Sequence, residues 1–366
     1  MILIRRIMLL LMVICLGQTI QAQTRILSGG WGYGFTTPHH SDMWNYITGH
    51  AQNFHAEYTT FNKLDSGRNS NIIKGLGFTF INPGNPDTMG YALGLFPQIQ
   101  FPFNCEKKHS YFVLGCGLEY STKTYTEENF AFNAISSHFN ALIMLGYRRI
   151  FSLTPQWKLN TELRWTHFSN GSTKAPNLGL NIPTLCLGLQ YRWDVSEYKP
   201  KSKTMQNNLN VGNWTFIGTG SWKQVKAEAH ICGAYSLQVE KNISPKRINS
   251  WSIGSDLIVD YTMNDRLTEF SDTVVPFSNN IKLSLKGGWT VPIGRLHIVL
   301  QAGSYLKNSN FKKEFAFERL SLRYFLNENV GVDVGLRAHF AKADAIEYGV
   351  VYRLPYKKQM IINPAF

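Results

Sequence analysis

The chain has 366 residues and a formal net charge of +13; 44% of its residues are apolar, 13% aromatic and only 17% charged. That charged share is below the ~25% of an ordinary soluble domain, and the hydrophobicity is too high for a disordered chain. Five cysteines in this length exclude a disulfide-built scaffold.

The first element is a leader. Arg5 and Arg6 precede an apolar run from Ile7 to Gly17, and Ile20-Gln21-Ala22 ends on a small residue. This order is that of a secretory signal peptide over 1–22. The run falls short of the ~20 residues that a membrane-spanning helix needs. The mature cysteines, Cys105, Cys116, Cys186 and Cys232, have no zinc spacing and are read as free thiols.

From Arg25–Phe35 onward, segments of about ten residues alternate apolar and polar, the period-2 signature of strands. Phe139, Ala141, Ile143, Leu145 and Tyr147 form one apolar set. Trp157, Leu159, Leu163 and Trp165 stand against Lys158, Asn160, Glu162 and Arg164. Leu185, Leu187, Leu189 and Tyr191 follow, then Ile281, Leu283, Leu285 and Trp289, then Val330, Val332, Val334 and Leu336. The polar faces carry charges and glycines throughout, and Tyr and Trp gather towards strand ends, as in an outer-membrane barrel. Long connections (Ser121–Ser136, Asn170–Asn181, Met263–Ser278) alternate with short ones (Asn104–Ser110, Phe151–Pro155, Val291–Gly294, Asn327–Asn329). Short periplasmic turns and longer outer loops belong to the same architecture. Phe366 is a terminal aromatic, which resembles the assembly signal of outer-membrane proteins.

The expected fold class is therefore all-β: an antiparallel transmembrane β-barrel of roughly sixteen strands in two eight-strand halves, either two units or one larger barrel. The halves are 23–193 and 214–366, joined by a polar, lysine-rich linker over 194–213. Tyr147–Asn170 is echoed by Leu322–Ala343, and both lead into a strand ending in Tyr-Arg (Tyr191-Arg192, Tyr352-Arg353). This makes the second half a candidate diverged duplicate of the first.

The segment richest in chemistry runs from His167-Phe168-Ser169-Asn170 to Pro176-Asn177-Leu178-Gly179 and Asn181. Residues i and i+2 of a strand share a face, so His167 and Ser169 point the same way, with the lipid-side parity of Leu163 and Trp165. Asn181 has the same parity on the following strand. A polar group on an apolar face is costly without a partner, so the three are read as one site. Glu162 has the opposite, lumen parity.

Here the chain resembles the PagL-type lipid A deacylases, acyloxyacyl hydrolase-like enzymes of the outer membrane. They carry a His-aromatic-Ser-Asn motif on a barrel strand and Pro-Asn-x-Gly in the next loop. The match is specific over Tyr147–Trp193, looser over Arg25–Tyr147, and does not extend to the second half. The resemblance implies a carboxylic ester hydrolase with Ser169 as nucleophile and His167 as general base. It implies that Asn177, with Asn170 and the amides near Gly171, holds the oxyanion. It also implies lipid A or lipopolysaccharide as substrate, and the outer membrane of a Gram-negative bacterium as location. The family's third catalytic residue, a glutamate, is Asn181 here; an amide can orient an imidazole but supplies no charge. Asn181 and the extra eight strands support an alternative, a non-catalytic outer-membrane barrel of structural, porin-like or lipid-binding role. A soluble periplasmic β-protein is the third reading.

No cofactor and no metal are expected. His39-His40-Ser41-Asp42 is read as a water-facing loop, since no third ligand stands at a useful spacing. The positive charge accompanies no nucleic-acid motif, and the lysines are scattered over loops; in an outer membrane, basic loops suit lipopolysaccharide phosphates. Ala338-His339-Phe340-Ala341 lacks the serine and has lumen parity, so no second site is expected.

Overall fold

The computed structural model describes residues 23–62, 72–103, 109–193, 214–227, 229–243, 250–263, 265, 276–309, 314–340 and 342–354. The expected leader, the expected linker and Phe366 lie outside these residues. Among them are sixteen strands. The first eight are β1 (Gln23–Gly34), β2 (Ala51–Asn62), β3 (Ile73–Asn82), β4 (Ala92–Pro102), β5 (Ser110–Ser121), β6 (Phe139–Ser152), β7 (Trp157–Ser169) and β8 (Leu180–Arg192). The remainder are β9 (Trp214–Lys223), β10 (Cys232–Asn242), β11 (Ser250–Asp260), β12 (Ile281–Ile293), β13 (Leu296–Lys307), β14 (Ala316–Phe325), β15 (Val330–His339) and β16 (Lys342–Arg353).

Each set of eight closes on itself. β1 pairs antiparallel with β8, and β9 with β16, so the chain forms two closed barrels. Closure removes every sheet edge, which is what lets strands cross a bilayer without unpaired backbone groups. No helix among the described residues is long and apolar enough to cross a membrane.

The expected faces are the observed ones. Leu163 and Leu185 point outward at 62% and 66% exposure, as do Leu237 and Leu285 in the second barrel. Leucines presented at this density need an apolar surrounding. Cys186 is buried on the lumen side, whereas Cys116 has outward parity. Short connections follow β6, β12 and β14, and long ones follow β5, β7 and β11.

The first lumen is held by four buried charges. Arg148 grips both oxygens of Glu57 at 2.7 Å, and its Nε donates to Glu162 at 2.7 Å. Arg164 donates to Glu162 and to Glu57, both at 2.8 Å. These charges come from β2, β6 and β7, so a one-residue slip of any of those strands would turn them into lipid. The second lumen repeats the device with other residues. Arg323 clamps Glu240 and also reaches Asp333, while Lys286 and Arg319 share Asp256. An eight-stranded barrel is just wide enough for its own side chains. Both interiors are crossed by these ion pairs.

Towards the long-loop end of the first barrel the lumen side turns from polar to apolar. Phe168, Leu180 and Ile182 meet Met43, Tyr46, Met89, Phe132, Ala134 and Ile135 from three loops in one buried cluster. The Tyr46 and Phe132 rings meet edge to face, with centroids 5.5 Å apart. This apolar plug backs the strand ends that carry the motif.

Candidate active site

The site starts from the register of β7 and β8. His167 stands directly opposite Asn181, and Phe168 opposite Leu180. Phe168 turns inward into the plug, so its neighbours His167 and Ser169 take outward parity, as the alternation requires. The packed plug on one side and the ladder on the other fix the backbone from which the polar side chains project.

Those side chains form a connected chain. Ser169 Oγ–H donates to His167 Nε2 at 3.1 Å, and His167 Nδ1–H donates to Asn181 Oδ1 at 2.8 Å. The indole of Trp165, two residues back on the same face, stacks on the imidazole with centroids 5.7 Å apart and planes 13° from parallel. The ring is thus restrained in plane by Trp165 and in rotation by its two nitrogens. Ser169 is nearly fully buried, and Gly179 closes over it. Gly179 has φ +76, a left-handed backbone; a Cβ there would stand 2.9 Å from His167 Cε1 and 3.1 Å from Ser169 Cβ. Only glycine fits both the conformation and the space.

The loop residues are braced as well. Asn177 Oδ1 accepts from the backbone N–H of Asn170 at 3.1 Å. This uses the oxygen of the Asn177 amide and leaves its Nδ2 as the donor end. The side chain of Asn170 is buried and donates to Ser136 Oγ at 3.0 Å. The Asn170 backbone N–H and its side-chain amide each brace the loop through these bonds. Gly171 follows with φ +61. The Gly179 N–H donates to Ala134 O at 2.9 Å, tying the β7–β8 loop to the β5–β6 loop.

Glu162 remains in the lumen between two arginines, as its parity requires. His339, in the place on β15 that corresponds to His167 on β7, is buried and meets the Tyr305 hydroxyl at 2.9 Å. It shares the lumen side with Arg337, as expected, and the sequence has Ala341 where the motif has its serine. Among the described residues, no group of three His, Cys, Asp or Glu is placed to hold a metal ion.

His39 corrects the sequence reading. It is exposed but not merely water-facing: its Nδ1 lies 3.1 Å from Asn181 Nδ2, and its Nε2 lies 2.9 Å from Leu178 O. The β1–β8 ladder brings it there. Phe35 N–H donates to Pro183 O and Thr37 N–H to Asn181 O, after which Pro38, lacking an N–H, ends the pairing. The signal in the sequence was a histidine one residue past that proline; what was missing was knowledge that β1 closes on β8.

Comparison with known proteins follows the two barrels. Residues 20–190 match the family described as lipid A 3-O-deacylase (PagL). Residues 212–357 match a second model, acyloxyacyl hydrolase, C-terminal domain, so the second half has a counterpart of its own. No curated protein matches the chain. Among solved structures, a de novo designed transmembrane β-barrel is 11% identical with a TM-score of 0.25, over 48% of this chain and 98% of the design. Omp33 of Acinetobacter baumannii is 7% identical with a TM-score of 0.19, over 92% of this chain and all of Omp33. A Rh. blastica porin mutant is 9% identical with a TM-score of 0.20, over 91% and 100%. The two family matches span both barrels, and the chain belongs to the PagL family of lipid A 3-O-deacylases.

Proposed function

We propose that the protein is an outer-membrane serine esterase that removes an ester-linked acyl chain from lipid A. The observation that carries this reading is the chain Ser169–His167–Asn181, with contacts of 3.1 and 2.8 Å, on outward parity at one end of β7. A serine hydroxyl is a weak nucleophile until an adjacent base takes its proton. His167 Nε2 receives that proton as Ser169 Oγ attacks the ester carbonyl. The tetrahedral oxyanion is held by Asn177 Nδ2 and the Gly171 N–H, donors aimed at charge that develops only in the transition state. His167 then returns the proton to the departing alkoxide. Water enters, His167 takes its proton in turn, and hydrolysis of the acyl-enzyme restores Ser169. Asn170 braces the loop that presents Asn177 and Gly171. A site on the lipid side suits a substrate whose acyl chains stay in the bilayer.

Asn181 favours one competing reading, a barrel of the same lineage without catalysis, because an amide stabilises an imidazolium less than a carboxylate does. Mass spectrometry of lipid A from cells producing the wild type or Ser169→Ala separates the two. Loss of one acyl chain with the wild type alone supports the esterase. Identical lipid A, with both proteins folded in the outer membrane, supports the non-catalytic barrel.

A further inference from the structure

His39, Asn181, His167 and Ser169 form one continuous line of hydrogen-bonding groups that ends on a backbone carbonyl. That carbonyl, Leu178 O, can only accept. His39 Nε2 lies 2.9 Å from it and is therefore the protonated nitrogen. The other carbonyl near this ring, Thr37 O, is 3.4 Å from Nδ1, the longer and weaker contact. With the proton on Nε2, His39 Nδ1 is an acceptor. It takes a hydrogen bond from Asn181 Nδ2 at 3.1 Å. The amide of Asn181 is thereby oriented, with its oxygen towards His167 Nδ1 at 2.8 Å. That oxygen holds the His167 proton on Nδ1, and Nε2 is left as the acceptor facing Ser169 Oγ at 3.1 Å.

The direction of every bond matters, because an asparagine has two faces. A carboxylate can only accept, so it enforces the base tautomer by itself. An amide turned by 180° would present Nδ2 to His167 Nδ1, place the imidazole proton on Nε2 and leave Ser169 with no base. At this position something outside the amide has to choose its orientation. We infer that His39 is a positioning residue: anchored on Leu178 O, it selects the Asn181 rotamer that keeps His167 in the base tautomer. This rests on the esterase reading for its catalytic consequence, but not for its structural content. His39 does not touch the reacting atoms in this scheme and acts through Asn181.

The test uses the full chain in detergent, with four variants: His39→Ala, His39→Asn, Asn181→Glu and the double variant His39→Ala/Asn181→Glu. The assay is ester release from purified lipid A, read as kcat and KM separately. His39→Ala should lower kcat by roughly 30-fold or more with KM within about 3-fold, as expected when only the tautomer is lost. His39→Asn places an acceptor oxygen where Nδ1 stood, and should retain most of the rate. In the Asn181→Glu background the same His39→Ala change should cost less than about 3-fold, because a carboxylate needs no orienting partner. Equal losses in the two backgrounds would show His39 to be ordinary structural support and overturn the inference, as would full activity of His39→Ala.

If the wild type releases no ester, the esterase reading fails and the inference about His39 is read by ¹⁵N NMR of the imidazoles. His39 should then carry its proton on Nε2 and His167 on Nδ1, with His167 turning to a tautomer mixture in His39→Ala. A His167 tautomer that is the same with and without His39 overturns it.

Discussion

His167 and Asn181 face each other directly across the β7–β8 ladder, and their side chains meet at 2.8 Å between Nδ1 and Oδ1. Opposed residues of an antiparallel pair have Cβ atoms only ~4.5–5.5 Å apart, so this contact follows from register rather than from loop folding. The ladder offers a carboxylate at 181 the same acceptor geometry with a charge added. Asn181→Glu is expected to keep or raise kcat, and Asn181→Leu to lower it by ~10² or more; the analogous Asp→Asn change in a serine protease costs ~10⁴. Steady-state ester release from lipid A measures both. A large loss in Asn181→Glu would mean that the site is built around the amide itself.

His167→Ala should eliminate ester release without loss of folding. Phe168 in the apolar plug and the ladder to β8 hold the strand, and neither uses the imidazole. Lipid A mass spectra report activity, and heat-modifiable migration of the barrel reports assembly. Normal turnover in this variant would remove His167 from the role of base.

Gly179→Ala tests how tightly the loop is set. The added methyl would need a left-handed backbone that costs ~1–2 kcal/mol for a non-glycine residue. It would also press on His167 and Ser169 at 2.9 and 3.1 Å. Displacements of about 1 Å at reacting groups cost ~10²-fold in rate. A fall in kcat of that order, with a urea unfolding midpoint lowered only by the ~1–2 kcal/mol of that strain, is the expected result.

Stability is expected to depend on the first lumen's charges rather than on the site. Glu57→Ala would leave Arg148 and Arg164 each short of a carboxylate in a buried position. Removing one partner of a buried pair typically costs ~3–5 kcal/mol. Urea unfolding of the purified barrel in detergent should show that loss, against little change for Ser169→Ala.

His339→Ala should leave ester release within about 2-fold of wild type, since its ring is turned to the lumen against Tyr305 and the sequence has Ala341 where the motif has its serine. The same lipid A assay checks this, and a large loss would assign the second barrel a direct part in the chemistry.

The alternation of Trp157, Leu159, Leu163 and Trp165 with Asn160, Glu162 and Arg164 determined the strand and both of its faces, because side-chain direction along a strand is a local property of period 2. The same property placed His167, Ser169 and Asn181 on one side before any pairing was known. Tertiary structure alone decided the rest. Whether β8 returns to β1 or continues into β9 depends on pairing between residues more than a hundred positions apart, which no local pattern encodes; two closed barrels are the outcome. That closure carries the loop after β1 to Asn181 and turns His39 from an apparent surface histidine into a neighbour of the site. It likewise gathers Met43, Phe132 and Phe168 into one plug and joins the Asn170 side chain to Ser136. Faces follow from the geometry of each residue; partners follow from which distant strands share a ladder.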